Sequence, residues 1–124
     1  MSLLNSLKSM FTPAPRVDPA AAAARIRAGD ALLVDVRESR EWSGGVALHA
    51  KLLPLSDLTG GRSQWRDFLA AVGEREVLLY CASGMRSGSA ARLLAAEGIR
   101  AANSGGLSDW AAAGWPIVAP GKRK

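Results

Sequence analysis

Residues 76–98 read EVLLYCASGMRSGSAARLLAAEG and hold the only cysteine of the 124-residue chain. The mostly apolar run 76–80 predicts a buried strand, and residues 89–98 predict a helix that ends at Gly98. Cys81 stands between them, where a glycine-containing turn begins. A structural cysteine usually lies inside an apolar run, so this position predicts a chemical role for the thiol.

The turn after Cys81 has the features of an anion cradle. Gly84 relaxes the backbone, and a helix expected to begin near Ser87 supplies free N–H groups and partial positive charge. Arg86 adds a full charge. Together they predict a lowered thiol pKa and a thiolate at neutral pH. The alternative is an inert cysteine at a strand end. It does not explain why the thiol, the glycine, the arginine and the helix start occur together.

The flanking sequence predicts an α/β domain. Asp18 and Pro19 suit the start of a helix ending at Gly29, and ALLVDVRE (31–38) predicts a buried strand. Further strands are expected in KLLPL (51–55) and IRAANSGG (99–106), further helices in SQWRDFLAAVG (63–73) and LSDWAAAGWPI (107–117), and turn chemistry in 56–62. This alternation predicts three layers, with a mostly parallel central sheet and helices on both faces.

The same topology predicts where a site would lie. Ligands of such sheets bind beyond the carboxyl ends of the strands. Asp35, Arg37 and Cys81 all fall near strand ends, so we expect them at one edge of the domain.

Length and composition bound the organisation. With 48% apolar and 22% charged residues, the chain is typical of one globular domain. We assign residues 1–17 to a tail and linker, 18–118 to the domain and 119–124 to a basic tail. One cysteine and one histidine supply neither an internal disulfide nor a usual zinc ligand set, so no metal or cofactor is expected.

Charge and the first residues bear on partners and location. The net charge of +5 favours an anionic ligand, although part of it sits in GKRK (121–124), a solvated tail. Residues 1–11 lack the apolar core of a signal peptide, so a cytoplasmic protein is expected. Their apolar residues at helical spacing leave membrane or partner contact open, although docking on the domain or fraying is favoured.

The aromatic residues and the histidine have plainer interpretations. Helical spacing predicts core or core-rim packing for the tryptophans, which are Trp42, Trp65, Trp110 and Trp115. Without a basic stripe beside them, no nucleic-acid binding is expected. His49 is predicted to be a surface or turn residue, since attack by an ionised thiol needs no general base.

Three separated stretches carry a family resemblance. CASGMRS (81–87) resembles the active-site loop of the rhodanese (thiosulfate sulfurtransferase) family, and LLVDVRESREW (32–42) is similar to its first strand and turn. GGLSDWAAAGWPI (105–117) is similar to its closing turn and helix. The resemblance implies a single-domain rhodanese-like fold. It also implies transfer of a sulfane sulfur, through a Cys81 persulfide, from thiosulfate or a persulfide to cyanide or a thiol, including a protein acceptor.

The resemblance also implies roles for individual residues. Cys81 would be the nucleophile. The anion-binding loop would comprise Ala82, Ser83, Gly84, Met85, Arg86 and Ser87, with the N–H groups of 82–86 stabilising the thiolate and the incoming anion. Arg86 would hold the loop, and Ser87 would cap the helix or join the cradle. Asp35 and Arg37 would brace the loop.

Two other functions stay open beside the enzyme. One is a sulfur carrier without turnover, or a protein-binding module on the same fold. The other is the related phosphatase or arsenate branch, whose loop has five residues between cysteine and arginine. Here there are four, Tyr80 stands where a histidine is expected, and a second cysteine is missing.

The sequence departs from the family pattern at two places. GVALHAK (45–51) replaces a Gly-His-Ile-Pro-Gly-Ala segment, with Val46 at the histidine position, so this turn is expected to pack differently. Ala82 and Ser83 stand where enzymes tuned for thiosulfate often carry a basic residue. We therefore expect modest activity with thiosulfate, with a persulfide as the preferred donor.

Overall fold

A computed structural model describes residues 14–124, so the amphipathic segment 1–11 lies outside the described residues. In this part of the chain, no helix is long and apolar enough to cross a membrane. The helices are α1 (Pro19–Arg27), α2 (Leu55–Leu58), α3 (Ser63–Val72), α4 (Met85–Ala96) and α5 (Leu107–Ala112), with 3-10 turns at Ser39–Gly44 and Pro120–Lys122. The strands are β1 (Ala31–Asp35), β2 (Val46–Ala47), β3 (Lys51–Leu52), β4 (Glu76–Cys81), β5 (Ala101–Gly106) and β6 (Ile117–Val118).

Four parallel strands form the central sheet in the order β3-β1-β4-β5. The short strands β2 and β6 pair antiparallel in a separate two-stranded sheet. This architecture confirms the predicted α/β fold with a mostly parallel central sheet. Because all four strands of the central sheet run parallel, their carboxyl ends meet at one edge.

The two faces of the sheet each carry a hydrophobic core. Val77, Leu79 and Cys81 of β4 point into the core under α3 and α4. Leu78 and Tyr80 point to the opposite face, against α1 and α5. This alternation is the period-two pattern of a strand buried on both sides, and it places helices on both faces as predicted.

The tryptophans largely meet the core prediction. Trp65 and Trp110 are fully buried, one in each core, and Trp115 is buried beside Trp110. Trp42 is half-buried in the 3-10 turn Ser39–Gly44. His49 lies exposed in a turn at φ 69°.

Helix α4 begins earlier than the sequence predicts. Gly84 adopts a left-handed conformation at φ 97° and serves as its N-cap, so the helix starts at Met85 and not near Ser87. A glycine at this position lets the chain reverse within one residue, because it carries no Cβ. Met85, Arg86 and Ser87 therefore belong to the first helical turn.

Short elements account for the other differences. Helix α2 forms where turn chemistry was expected, and the pair β2 and β6 had no sequence signal because two residues show no periodicity. Residues assigned to the linker lie along β5: Val17 donates its N–H to the Asn103 carbonyl at 3.0 Å, and Asn103 donates to the Pro15 carbonyl at 2.7 Å. The linker thus extends the sheet beyond β5.

A buried polar cluster joins β1, β4 and β2. Asp35 is fully buried, and its carboxylate accepts hydrogen bonds from Arg37 at 2.8 Å and from the Tyr80 hydroxyl at 2.7 Å. The same hydroxyl accepts the N–H of Ala47 at 2.9 Å. Burial raises the pKa of Tyr80, so the hydroxyl stays protonated and keeps donating to Asp35.

We expect Tyr80→Phe to lower the free energy of unfolding by about 1–3 kcal/mol, because it leaves the buried N–H of Ala47 without its acceptor. The ring volume is kept, so packing changes little. Urea denaturation measures the loss. Thr59→Val, which removes an exposed hydroxyl bonded to the Leu55 carbonyl, is the matched control and should cost under about 0.5 kcal/mol. Equal losses in both variants would contradict the prediction.

Candidate active site

The thiol of Cys81 lies at the carboxyl end of β4, at the start of helix α4. Its Sγ accepts the N–H of Gly84 at 3.0 Å, the N–H of Ser87 at 3.4 Å and the hydroxyl of Ser87 at 3.3 Å. Both Cys81 and Ser87 are fully buried. The sulfur is therefore surrounded by donors in a site shielded from bulk water.

These donors decide the charge of the thiol. Burial by itself raises the pKa of Cys81, but the hydrogen bonds from the hydroxyl and N–H of Ser87 and from the N–H groups of Gly84 and Ser83 outweigh it. The pKa is lowered from the ordinary value of a cysteine. A thiolate is the form that attacks sulfur, so this geometry favours a reactive nucleophile.

The side chain of Asn103, in β5, holds the loop and the helix start together. Its Oδ1 accepts the Ser87 hydroxyl at 2.7 Å and the N–H of Gly105 at 3.0 Å, while its Nδ2 donates to the Gly84 carbonyl at 3.0 Å. Sequence reasoning missed this residue. Its only mark in the sequence is that it is the one amide side chain among the small residues of AANSGG (101–106).

The Ser87 hydroxyl has one proton and lies within reach of three acceptors, which are Asn103 Oδ1, Cys81 Sγ and the Gly105 carbonyl. Asn103 Oδ1 is closer, at 2.7 Å, than Cys81 Sγ, at 3.3 Å. A hydroxyl donates one hydrogen bond, and bonds to charged acceptors are the stronger ones. The Ser87 proton therefore serves one of these acceptors at a time, whereas Asn103 Oδ1 also accepts the N–H of Gly105.

A β-bulge in β5 shapes the wall next to the thiol. Leu79 pairs with Asn103 but Cys81 pairs with Gly106, so β5 contains one residue more than β4 across this interval. A Cβ on Gly106 would overlap the carbonyl oxygen of Ala82. Only glycine at this position allows the strand and the cysteine loop to approach so closely.

The charge of Arg86 is matched by Glu41. Arg86 donates two hydrogen bonds to the Glu41 carboxylate, at 2.6 and 2.8 Å, and the side chains are 35% and 25% exposed. These bonds lower the pKa of Glu41 to about 2, so the pair stays charged at neutral pH. Glu41 was not predicted as a site residue, because its partner lies 45 positions along the chain.

Asp35 and Arg37 do not take part in this ion pair but support the turn that contains Glu41. Arg37 donates to the Gly45 carbonyl at 2.7 Å and to the Glu41 carbonyl at 3.3 Å. Within residues 14–124, no side-chain hydrogen bond joins Asp35 or Arg37 to residues 81–87. They hold the 3-10 turn that contains Glu41, and Glu41 in turn binds Arg86 of the predicted loop.

The rest of the predicted loop faces outward. Ala82 and Ser83 are exposed at the lip of the site, and Met85 is 80% exposed. The structure thus brings Gly84 and Ser87 onto the sulfur, directs Arg86 to Glu41, and leaves the side chains of Ala82, Ser83 and Met85 exposed to solvent.

Comparisons with known proteins agree with this fold. Residues 18–113 match the model of the rhodanese-like domain, and the chain belongs to that family. A sulfurtransferase of Allochromatium vinosum is 38% identical over 93 residues, which cover 73% of this chain and 81% of that protein. The uncharacterized protein YqhL of Bacillus subtilis is 37% identical over 82 residues, which cover 64% of this chain and 60% of YqhL.

A solved structure supports the same assignment. The rhodanese-related protein of Thermoplasma volcanium superposes with a TM-score of 0.69 at 26% identity, over 84% of this chain and 97% of that one. The fold and the sulfur-transfer family predicted from the sequence are therefore confirmed.

We expect Ser87→Ala to slow alkylation of Cys81 by iodoacetamide near neutral pH, because it removes a donor from the sulfur. The alkylation rate rises with pH as the thiol ionises, and its midpoint reports the pKa of Cys81. In the wild type this midpoint should lie below that of free cysteine, and in the variant it should move upward. Ser63→Ala, an exposed serine in α3, is the control. Identical pH profiles for wild type and Ser87→Ala would remove the hydroxyl from this role.

Proposed function

We propose that the protein is a sulfurtransferase that moves a sulfane sulfur from thiosulfate or a persulfide donor to a thiol or cyanide through a persulfide on Cys81. The convergence of the Gly84 N–H and the Ser87 N–H and hydroxyl on Cys81 Sγ carries the proposal. These donors stabilise an anionic sulfur through hydrogen bonds alone, so the sulfur can still act as a nucleophile. The sulfurtransferase name of the A. vinosum relative supports the same class of reaction.

The reaction takes two displacements at sulfur. The Cys81 thiolate attacks the outer sulfur of thiosulfate, the S–S bond breaks, and sulfite leaves with the bonding pair. Cyanide or an acceptor thiolate then attacks the outer sulfur of the persulfide, giving thiocyanate or a new persulfide and restoring the thiolate. The negative charge stays on sulfur throughout, so one fixed set of N–H donors serves every stage.

The other residues are assigned positioning roles in this proposal. Asn103 orients Ser87 and Gly84, which touch the sulfur. Glu41 fixes Arg86 in the first turn of α4, and Arg37 with Asp35 fixes the turn that carries Glu41. The cytoplasmic location rests on the sequence alone and stays a prediction.

Intact-protein mass spectrometry tests the cycle. Incubation with thiosulfate should add one sulfur, about 32 Da, and cyanide should remove it. Cys81→Ser should keep the fold and take up no sulfur. An adduct that forms in the Cys81→Ser variant, or no adduct with any persulfide donor, would contradict the proposal. Sulfur that loads but leaves only in the presence of a protein acceptor would identify a carrier instead of an enzyme with free turnover.

The donor preference follows from the Arg86 ion pair. Since Glu41 neutralises Arg86, the loop presents little net positive charge to a dianion such as thiosulfate. This supports a persulfide as the better donor, in keeping with the absence of a basic residue at Ala82 and Ser83.

We expect Glu41→Gln to lower both KM and kcat, each for a different reason. Freeing the charge of Arg86 should lower the KM for thiosulfate by about threefold at low salt, an effect lost at about 0.5 M salt. Weaker anchoring of α4 should lower kcat by about two- to tenfold. Steady-state assays measure both. Glu74→Gln, an acid remote from the loop, is the control, and an unchanged KM in the Glu41 variant would show that Arg86 is not neutralised in solution.

A further inference from the structure

A groove opens beside the cysteine loop and adjoins the donors that surround Cys81 Sγ. It has a volume of about 380 Å³, and the described residues that line it belong to the loop, to α4, to the linker and to β5: Ala14, Arg16, Gly84, Met85, Gly88, Ser89, Arg92 and Asn103. Gly84 is shared, since its N–H donates to Cys81 Sγ at 3.0 Å. The groove therefore begins where the reactive sulfur is held.

The size of the groove fits something larger than thiosulfate or cyanide. Its volume lies within the range of about 300–1,000 Å³ found for pockets that hold drug-sized ligands. Met85 and Arg92 are seven residues apart on α4, which corresponds to about 10 Å along the helix. An extended peptide spans this distance with about three residues.

The charged side chains that line the groove are all positive. Arg16 and Arg92 are its only charged described residues, and both are exposed. Neither belongs to an ion pair within residues 14–124, and residues 1–13 contain no acid. This contrasts with Arg86, which Glu41 neutralises. The positive charge available near the thiol thus lies along the groove and not in the loop.

An apolar contact marks the end of the groove at the loop. Met85 is 80% exposed, and within the described residues it is the one large hydrophobic side chain so exposed. An exposed methionine is an adaptable contact for a partner surface. It is the first residue of α4, and in the sequence it lies between Cys81 and Arg92.

We propose that this groove docks an acidic segment of the protein that accepts or delivers the sulfur, with its thiol beside Cys81, an apolar residue on Met85 and carboxylates on Arg16 and Arg92. The proposal rests on the sulfur-transfer function proposed above and names the chemistry of its partner. Electrostatic attraction of this kind raises the association rate and the selectivity between partners.

Binding tests the groove without any sulfur chemistry. The probe is a fluorescein-labelled synthetic peptide with a serine, a leucine, two glycines and three glutamates, and the reference peptide has glutamines in place of the glutamates. Anisotropy is measured with the Cys81→Ser protein. We expect the acidic peptide to bind about tenfold more tightly at low salt, with the difference shrinking at about 0.5 M salt.

Charge reversal locates the binding site. On the same background, Arg16→Glu with Arg92→Glu should abolish the preference for the acidic peptide. Arg66→Glu with Arg100→Glu makes the same change in net charge at exposed positions outside the groove and should keep the preference. Equal binding of both peptides by the unsubstituted groove, or equal loss in both double variants, would overturn the proposal.

Sulfur transfer gives a second readout. The persulfide-loaded protein with native Cys81 is mixed with the same two peptides carrying cysteine in place of serine, and the transfer rates are compared. We expect the ratio of rates to be about five- to tenfold in favour of the acidic peptide and near one after reversal of Arg16 and Arg92.

The two proposals fail in different ways. Turnover with cyanide but no preference between the peptides overturns the docking groove alone. Selective peptide binding without any persulfide overturns the sulfur-transfer function alone. A dimer that the Arg16 and Arg92 substitutions dissociate would assign the groove to a second copy of the chain and would also overturn the acidic partner.

Discussion

The carboxamide of Asn103 is the constraint on which the site depends. It is buried, and it uses its oxygen for the Ser87 hydroxyl and the Gly105 N–H and its nitrogen for the Gly84 carbonyl. Its backbone meanwhile pairs with the linker at Pro15 and Val17. One residue therefore sets the relative positions of the cysteine loop, the start of α4, the bulge of β5 and the N-terminal linker. Few other side chains offer both a donor and a strong acceptor at this spacing.

A second set of contacts is a series of charged residues that runs from the core to the surface. It begins at the buried Asp35, passes through Arg37 to the 3-10 turn, and ends at the pair formed by Glu41 and Arg86. Each charge in the series has an opposite neighbour, as buried and half-buried charges require. Cys81 Sγ is the exception: within residues 14–124 it accepts hydrogen bonds from backbone N–H groups and a hydroxyl, and no Lys or Arg side chain donates to it.

The sequence predicts the architecture better than it predicts the contacts of the site. Strands β1 and β4 and helix α4 are evident from apolar runs bounded by turn residues, and the position of Cys81 between β4 and α4 indicates the reactive centre. The start of α4 at Met85 was missed because it depends on the left-handed conformation of Gly84. Glu41 and Asn103 were missed because their partners are chosen by tertiary placement, across 45 and 16 positions of sequence.

The linker has a consequence for the behaviour of the protein at high concentration. Without residues 15–17, β5 would form an open margin of the sheet, with unpaired N–H and carbonyl groups available to a strand of another molecule. The opposite margin, β3, has only two residues, and one of them is the exposed Lys51. Short or covered margins of this kind discourage edge-to-edge aggregation. The segment that completes one wall of the groove therefore also keeps the sheet from growing.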